Sequence, residues 1–273
     1  MAAAGESGGG ASAHLAQDGF RSVAFVAERA LRLVAFEAAR TDGAMAGVLR
    51  AKGFLRFAEC DGYSLTLQAC GGRLEVRTRS DDDDDAAASG GDGAGADGGC
   101  RFVMIGQRLA EAPLLRRLAA CEDAGGAPAG ADGECAPCAP EADGAAAAAF
   151  CAALAKDQRF ELRWVREAEA GGSLVAFRLL AWLGADAEDL NNDLLDGVNL
   201  HGSGRRWLAP RREQIDGVRQ LVLMQPLCGG ADDARACWAE VAAAAERVMA
   251  RRFAGVYCGG CDCLENLAGK VLV

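Results

Sequence analysis

Gly47-Val48-Leu49-Arg50-Ala51-Lys52-Gly53-Phe54-Leu55-Arg56-Phe57 is the stretch that decides how the first half of this chain folds. Residues 48–58 alternate in part between apolar and polar side chains, the period of a half-buried strand. Asp61-Gly62 is a hairpin signal, and it leads into Tyr63-Ser64-Leu65-Thr66-Leu67-Gln68, where Tyr63, Leu65 and Leu67 share one face. Gly71-Gly72 makes the next turn. Residues 73–78 then form a strand with Leu74 and Val76 on one side, and residues 101–106, containing Phe102-Val103-Met104-Ile105-Gly106, add another. Upstream, residues 22–26 read as a short strand. Residues 28–40 carry Leu31, Val34, Ala35 and Ala38 at three- and four-residue spacing, which marks one apolar face of a helix ended by Gly43 and Gly47. Pro113 sits near the start of a second helix that ends about Cys121.

The second half repeats the scheme. Residues 145–156 form an Ala-rich helix, and residues 159–167 and 173–180 are strands joined by Ala168-Glu169-Ala170-Gly171-Gly172. Residues 186–199 are amphipathic, with Leu190, Leu194, Leu195 and Val198 on one face and acids in the first turn, where the helix dipole favours them. Gly202-Ser203-Gly204 stops that helix. Residues 206–210 and 218–224 pair around an Asp216-Gly217 turn, and residues 232–252 are a long helix carrying Trp238, Val241 and Val248. The expected fold class is α+β: two small antiparallel-sheet domains, each covered by helices, with a disordered tail and linkers. Residues 1–19 are the tail, 20–121 the first domain, 122–149 a Gly/Ala/Pro-rich linker, 150–253 the second domain, and 254–273 a Cys-rich tail. Residues 80–99 form an insertion within the first domain, because the adjacent like charges of Asp81 to Asp85 repel one another and resist packing.

The hydrophobic fraction is 51%, but aromatics are only 6% and alanine contributes little burial, so the cores rest on scattered Leu, Val and Phe. A net charge of -10 argues against nucleic acid, whose binding relies on Lys and Arg neutralising phosphates, and against adsorption to anionic lipid. No run of about 18 apolar residues exists, which argues against a membrane span. The first residues lack a basic region followed by an apolar core, so a soluble protein of the cytoplasm or another intracellular compartment is expected. In that setting most of the twelve cysteines read as reduced thiols, several of them small core residues.

Residues 20–121, through Arg50-Ala51-Lys52-Gly53 and the Ile105-Gly106 strand, resemble the C-terminal domain of CobW-type GTPases and metallochaperones. The resemblance implies a link to metal (zinc or cobalt) homeostasis. In that family a P-loop domain handles the nucleotide, and a P-loop ends in Gly-Lys-Ser/Thr so that backbone amides cradle phosphates beside a lysine. Here Gly269-Lys270 is followed by Val271, so GTP is not expected to bind this chain alone. A second stretch, residues 160–248, resembles the C-terminal small domain of group II pyridoxal-phosphate-dependent decarboxylases. Phe160-Glu161-Leu162, Val175 to Leu179, Asn191 or Asn192, Leu194-Leu195, Asn199, Gly202 to Arg205, Trp207-Leu208, Asp216-Gly217 and Leu221 to Pro226 carry it. Those enzymes hold their cofactor through a lysine in the large domain. Lys52, Lys156 and Lys270 lie in no such segment, so pyridoxal phosphate is not expected to bind alone either.

Cys258, Cys261 and Cys263, and the Cys135-Ala-Pro-Cys138 pair, are the candidate metal ligands, since thiolates two residues apart can share one tetrahedral Zn²⁺. Separate, incidental thiols remain the plainer alternative. Arg50 and Lys52 are candidates to meet a partner or an anion, with projection from a solvent face as the alternative. Gly5-Glu6-Ser7-Gly8-Gly9 has nucleophile-elbow spacing without a preceding strand. His201, at a helix end followed by glycine, suits contact with terminal carbonyls better than base catalysis. No catalytic residue is assigned. The expected function is a non-catalytic binding or regulatory protein acting with a protein partner or catalytic subunit. The competing expectation is a truncated or divergent pyridoxal-phosphate-dependent decarboxylase lacking its cofactor domain.

Overall fold

Two antiparallel sheets and five α-helices make up the computed structural model, which describes residues 19–60, 63–71, 73–78, 99–123, 144–168, 171–181 and 185–253. The Asp61-Gly62 hairpin signal, the elbow-like Gly5 to Gly9, the insertion of Asp81 to Asp85, most of the 122–149 linker and the Cys-rich tail lie outside those residues. The first sheet contains β1 (Phe20–Ala27), β2 (Val48–Leu55), β3 (Leu65–Cys70), β4 (Arg73–Thr78) and β5 (Cys100–Gln107) in the order β1-β5-β2-β3-β4. The second contains β6 (Phe160–Glu167), β7 (Ser173–Leu179), β8 (Ala209–Ile215) and β9 (Val218–Leu227) in the order β6-β7-β9-β8. The helices are α1 (Leu33–Thr41), α2 (Glu111–Ala119), α3 (Ala145–Leu154), α4 (Ala187–Asn199) and α5 (Ala231–Arg252). Every strand pair in both sheets is antiparallel, as expected from the sequence.

β7 and the latter part of β9 read as nearly unbroken apolar runs because both faces of these central strands are buried. Leu174, Ala176, Val222 and Met224 point into a core shared with the first half. Val175, Phe177, Leu221 and Leu223 point the other way, into a core built with α3, α4 and α5. There Phe150, Phe160 and Phe177 surround Trp238, with the Phe160 and Trp238 ring centroids 4.9 Å apart. The first sheet buries one face only, through Val23, Phe25, Leu55, Leu65, Leu67, Val76, Phe102 and Met104. α1 lies between the two sheets and is buried on several sides, through Leu33, Val34, Ala35, Phe36 and Ala39.

α1 begins later than the periodicity of residues 28–40 predicts. Leu31 is held in a short bridge to Phe57: its N–H donates to the Arg56 carbonyl at 2.8 Å and its carbonyl accepts from the Ala58 N–H at 2.9 Å. A backbone committed on both sides cannot join a helix turn. The helix N-terminus is then capped from elsewhere in the chain, since both Glu59 carboxylate oxygens accept from the Leu33 N–H at 3.1 and 2.9 Å. Arg32, at the N-cap position, supplies no side-chain bond there. α4 falls within the amphipathic stretch 186–199, and Asp186 caps it by accepting from the Glu188 N–H at 2.9 Å. The strand expected at residues 206–210 instead runs Ala209–Ile215, because Trp207 is drawn off into the shared core.

Polar bonds tie the halves together as well. The buried Glu37 carboxylate accepts from Arg40 Nε at 2.8 Å, Arg40 Nη2 at 2.6 Å and Trp207 Nε1 at 2.9 Å. Arg40 Nη2 also donates to the Arg205 carbonyl at 2.8 Å. Burial works against the charge on Arg40, but the bonds to Glu37 outweigh it and hold its pKa above the ordinary value. The Trp207 ring lies 5.4 Å from Phe57, which continues through Phe36 to Phe102 and Phe25. At the sheet edge, Leu74 N–H donates to the Gly204 carbonyl at 2.8 Å.

Replacing Trp207 with Phe keeps the ring contact and removes one donor from a buried carboxylate. A loss of about 1–3 kcal/mol in urea unfolding is expected. Burial raises the Glu59 pKa despite the Leu33 bond. The stability linked to its protonated form is therefore complete below the ordinary carboxylate range and is lost as pH rises through the raised value. Glu59→Gln keeps an acceptor for Leu33 and should flatten that part of the stability-versus-pH curve. Glu59→Ala removes the cap and should cost about 1 kcal/mol by the same measurement.

Candidate functional site

The outer face of the first sheet carries the two sequence candidates. Between Val48 and Arg50 the β2–β5 register shifts, a bulge that leaves Leu49 and Arg50 both exposed and sets the alternation beyond it. Arg50, Lys52 and Phe54 therefore point outward while Ala51 and Leu55 point into the core. Gly53 follows Lys52 because β5 passes very close: a Cβ there would sit 2.2 Å from the Arg101 carbonyl oxygen. The Arg-Ala-Lys-Gly motif thus joins a backbone requirement to two outward cations.

Pairing across the sheet fixes the rest of that face. One row runs Ser22, Ile105, Arg50, Cys70, Arg73. The next runs Ala24, Val103, Lys52, Gln68, Glu75. The third runs Val26, Arg101, Phe54, Thr66, Arg77. Val26 is 62% exposed, Phe54 41%, Val103 40% and Ile105 43%, so an apolar strip along β1 and β5 lies open beside cations on β2. Glu75 is the one carboxylate in these rows, and it is shared by Arg73 at 3.3 Å and Arg77 at 3.6 Å. Arg50, Lys52 and Arg101 pair with no carboxylate among the described residues. A basic and apolar face on a chain of net charge -10 is a local reversal of the protein's character.

Arg50 and Lys52 were legible as candidates; Val26, Arg101, Val103 and Ile105 were not. In isolation Val103 and Ile105 resemble core residues as closely as Phe102 and Met104 do. Only the register of β5 against β2 turns them outward.

Several charges elsewhere are matched among themselves. On the second sheet, Glu161 accepts from Arg178 Nε at 2.6 Å and Arg163 Nη1 at 2.7 Å, and Arg178 also donates to Gln220. Its pKa is lowered: burial would raise it, and the two arginines overcome that. Glu213 accepts from Trp164 Nε1 at 2.5 Å, with Arg211 Nε 3.4 Å away. This arrangement holds strands together and offers no nucleophile. His201 is exposed just past the end of α4.

The described residues do not fit a zinc ion. No group of three or more His, Cys, Asp or Glu is placed to hold a metal among them. Their thiols are mostly buried, and burial raises the pKa of Cys60, Cys100, Cys121 and Cys151 and pushes Cys228 and Cys237 up to about 12, away from the thiolate a metal needs. The candidate ligands Cys135, Cys138, Cys258, Cys261 and Cys263 lie outside the described residues. No helix among the described residues is long and apolar enough to cross a membrane.

Residues 20–122 match the family model described as the cobalamin synthesis protein cobW C-terminal domain. The match coincides with the first sheet, α1 and α2. The likeness of residues 160–248 to decarboxylases rests on the residues quoted for it alone. No curated protein matches the chain. Among solved structures, the Zn(II)-bound YjiA GTPase from E. coli is 17% identical with a TM-score of 0.29, the alignment covering 40% of this chain and 31% of that one. A Zn(II)-bound triple mutant of YjiA gives the same identity and TM-score, covering 39% and 31%. The chain spans about a third of the length of these GTPases.

Gly53→Ala should cost about 1–3 kcal/mol in thermal or urea unfolding, because the new methyl forces β2 and β5 apart. The double replacement Arg50→Glu with Lys52→Glu should leave stability within about 0.5 kcal/mol, because both side chains project into solvent.

Proposed function

We propose that this chain is a non-catalytic binding or regulatory protein that holds a protein partner or catalytic subunit against the outer face of its first sheet. The observation that carries this reading is that face: exposed valine, isoleucine and phenylalanine beside cations that pair with no carboxylate among the described residues, on a protein that is acidic overall. The match of residues 20–122 to the cobW C-terminal domain supports a tie to metal homeostasis, zinc or cobalt, since cobalamin is a cobalt compound. The absence of Gly-Lys-Ser/Thr from the sequence supports a role without GTP chemistry on this chain. The acidic balance supports a protein partner over nucleic acid or an anionic membrane, and the reading places the protein in the cytoplasm or another soluble intracellular compartment.

Calorimetry on the full chain tests the reading. Mg²⁺-GTP should give no binding heat, and stoichiometric binding or hydrolysis of GTP would contradict a non-catalytic role. The metal tie is tested apart from this, by titrating Zn²⁺ into the chain and into a variant with Cys258, Cys261 and Cys263 replaced by Ser. Uptake lost in the variant supports metal handling through those thiols; identical titrations remove them from it.

A further inference from the structure

We infer that the occupant of the outer sheet face is an acidic amphipathic helix of a partner protein, an inference that rests on the proposed binding role and names the chemistry of its partner. The face is asymmetric. Val26 and Ala24 on β1 and Val103 and Ile105 on β5 form a strip along the strands. On β2, directly beside that strip, Arg50 stands opposite Ile105 and Lys52 opposite Val103, while Arg101 on β5 stands opposite Phe54. From Arg101 to Ile105 the strip is about 14 Å long at roughly 3.4 Å per residue, the length of about nine residues of α-helix.

A helix laid along β5 would bury its apolar stripe on Val103 and Ile105. It would then bring the flank of that stripe over Arg50 and Lys52, where acids find cations without a competing carboxylate among the described residues. A basic helix would meet the same cations with like charge. An edge-pairing strand would use backbone groups at the margin of the sheet and leave this face untouched. The charge pattern therefore selects the helix and its sign together. The one carboxylate in these rows, Glu75, lies two strands from β2 on β4 and is already shared by Arg73 and Arg77 of the same strand.

The probe is a capped peptide of four helical turns, with leucines at i, i+3, i+4 and i+7 and glutamates flanking that stripe. Its control is the same peptide with lysine for every glutamate. Binding to the full chain is read by fluorescence anisotropy at low and high salt. The acidic peptide should bind at least about tenfold more tightly than the basic one, and the preference should weaken with salt. Arg50→Glu with Lys52→Glu should abolish or reverse the preference, and Val103→Ser with Ile105→Ser should weaken both peptides, with circular dichroism confirming that each variant is folded. Equal binding of the two peptides, or no binding to the well-folded chain, would overturn the inference. So would acidic-peptide binding that is unchanged by both double variants. Binding that emerges only when Asp81 to Asp85 are replaced by Asn would assign the face to this chain's own acids, and a concentration-dependent dimer in light scattering would assign it to a second copy. Either result overturns the partner helix. Failure of the peptide alongside an absence of GTP binding leaves the non-catalytic role standing, whereas GTP turnover removes that role whatever the peptide does.

Discussion

Glu37 is the constraint on which the placement of the two sheets depends. A carboxylate removed from water is costly unless it is paired and fully hydrogen-bonded. Glu37 meets that demand with two nitrogens of Arg40 and the indole of Trp207, so its solvation in the folded state needs residues from both halves of the chain. The clamp fixes direction where apolar packing alone would tolerate sliding. Around it, the line of rings from Phe25 through Phe102, Phe36 and Phe57 to Trp207 supplies contact area. Removing one member of a buried ion pair typically costs about 3–5 kcal/mol, far more than an exposed pair such as Arg117 with Asp42 contributes.

That placement decides which surfaces remain for function. The central strands β7 and β9 are covered on one side by α3, α4 and α5 and on the other by α1 and the first sheet's core, while the edge strands β6 and β8 are only partly buried. The first sheet spends its inner face on the same core and leaves its outer face to solvent. Antiparallel sheets allow this, but such faces are usually polar. Here the outward positions include Val26, Phe54, Val103 and Ile105 among cations, a composition that stability does not require. The open face is therefore the part of the fold most readily explained by contact with another molecule.

Much of the fold was legible in the sequence because local signals and tertiary structure agree. The apolar face and acidic first turn of residues 186–199 mark α4 correctly, and the strands read at residues 173–180 and 218–224 fall on β7 and β9. The misplaced start of α1 has a non-local cause: Leu31 satisfies helical spacing, yet its backbone pairs with Arg56 and Ala58 and the cap comes from Glu59. The contact between the halves was equally hidden, since nothing near Trp207 in sequence announces Glu37. Arg50 and Lys52 could be named from their strand, but their apolar neighbours could not. Whether Val103 faces core or solvent is settled by register, which a bulge between Val48 and Arg50 resets.

The central claim is that this face is bare in the isolated chain and available to a partner. Methyl NMR with a soluble nitroxide measures that directly. The methyls of Val26, Val103 and Ile105 should broaden as strongly as those of Val218, which is 58% exposed, while Val175 and Leu223 in the core stay sharp. Val103 and Ile105 protected to the level of Val175 would contradict the account, because something within the chain would already cover the surface assigned to its partner.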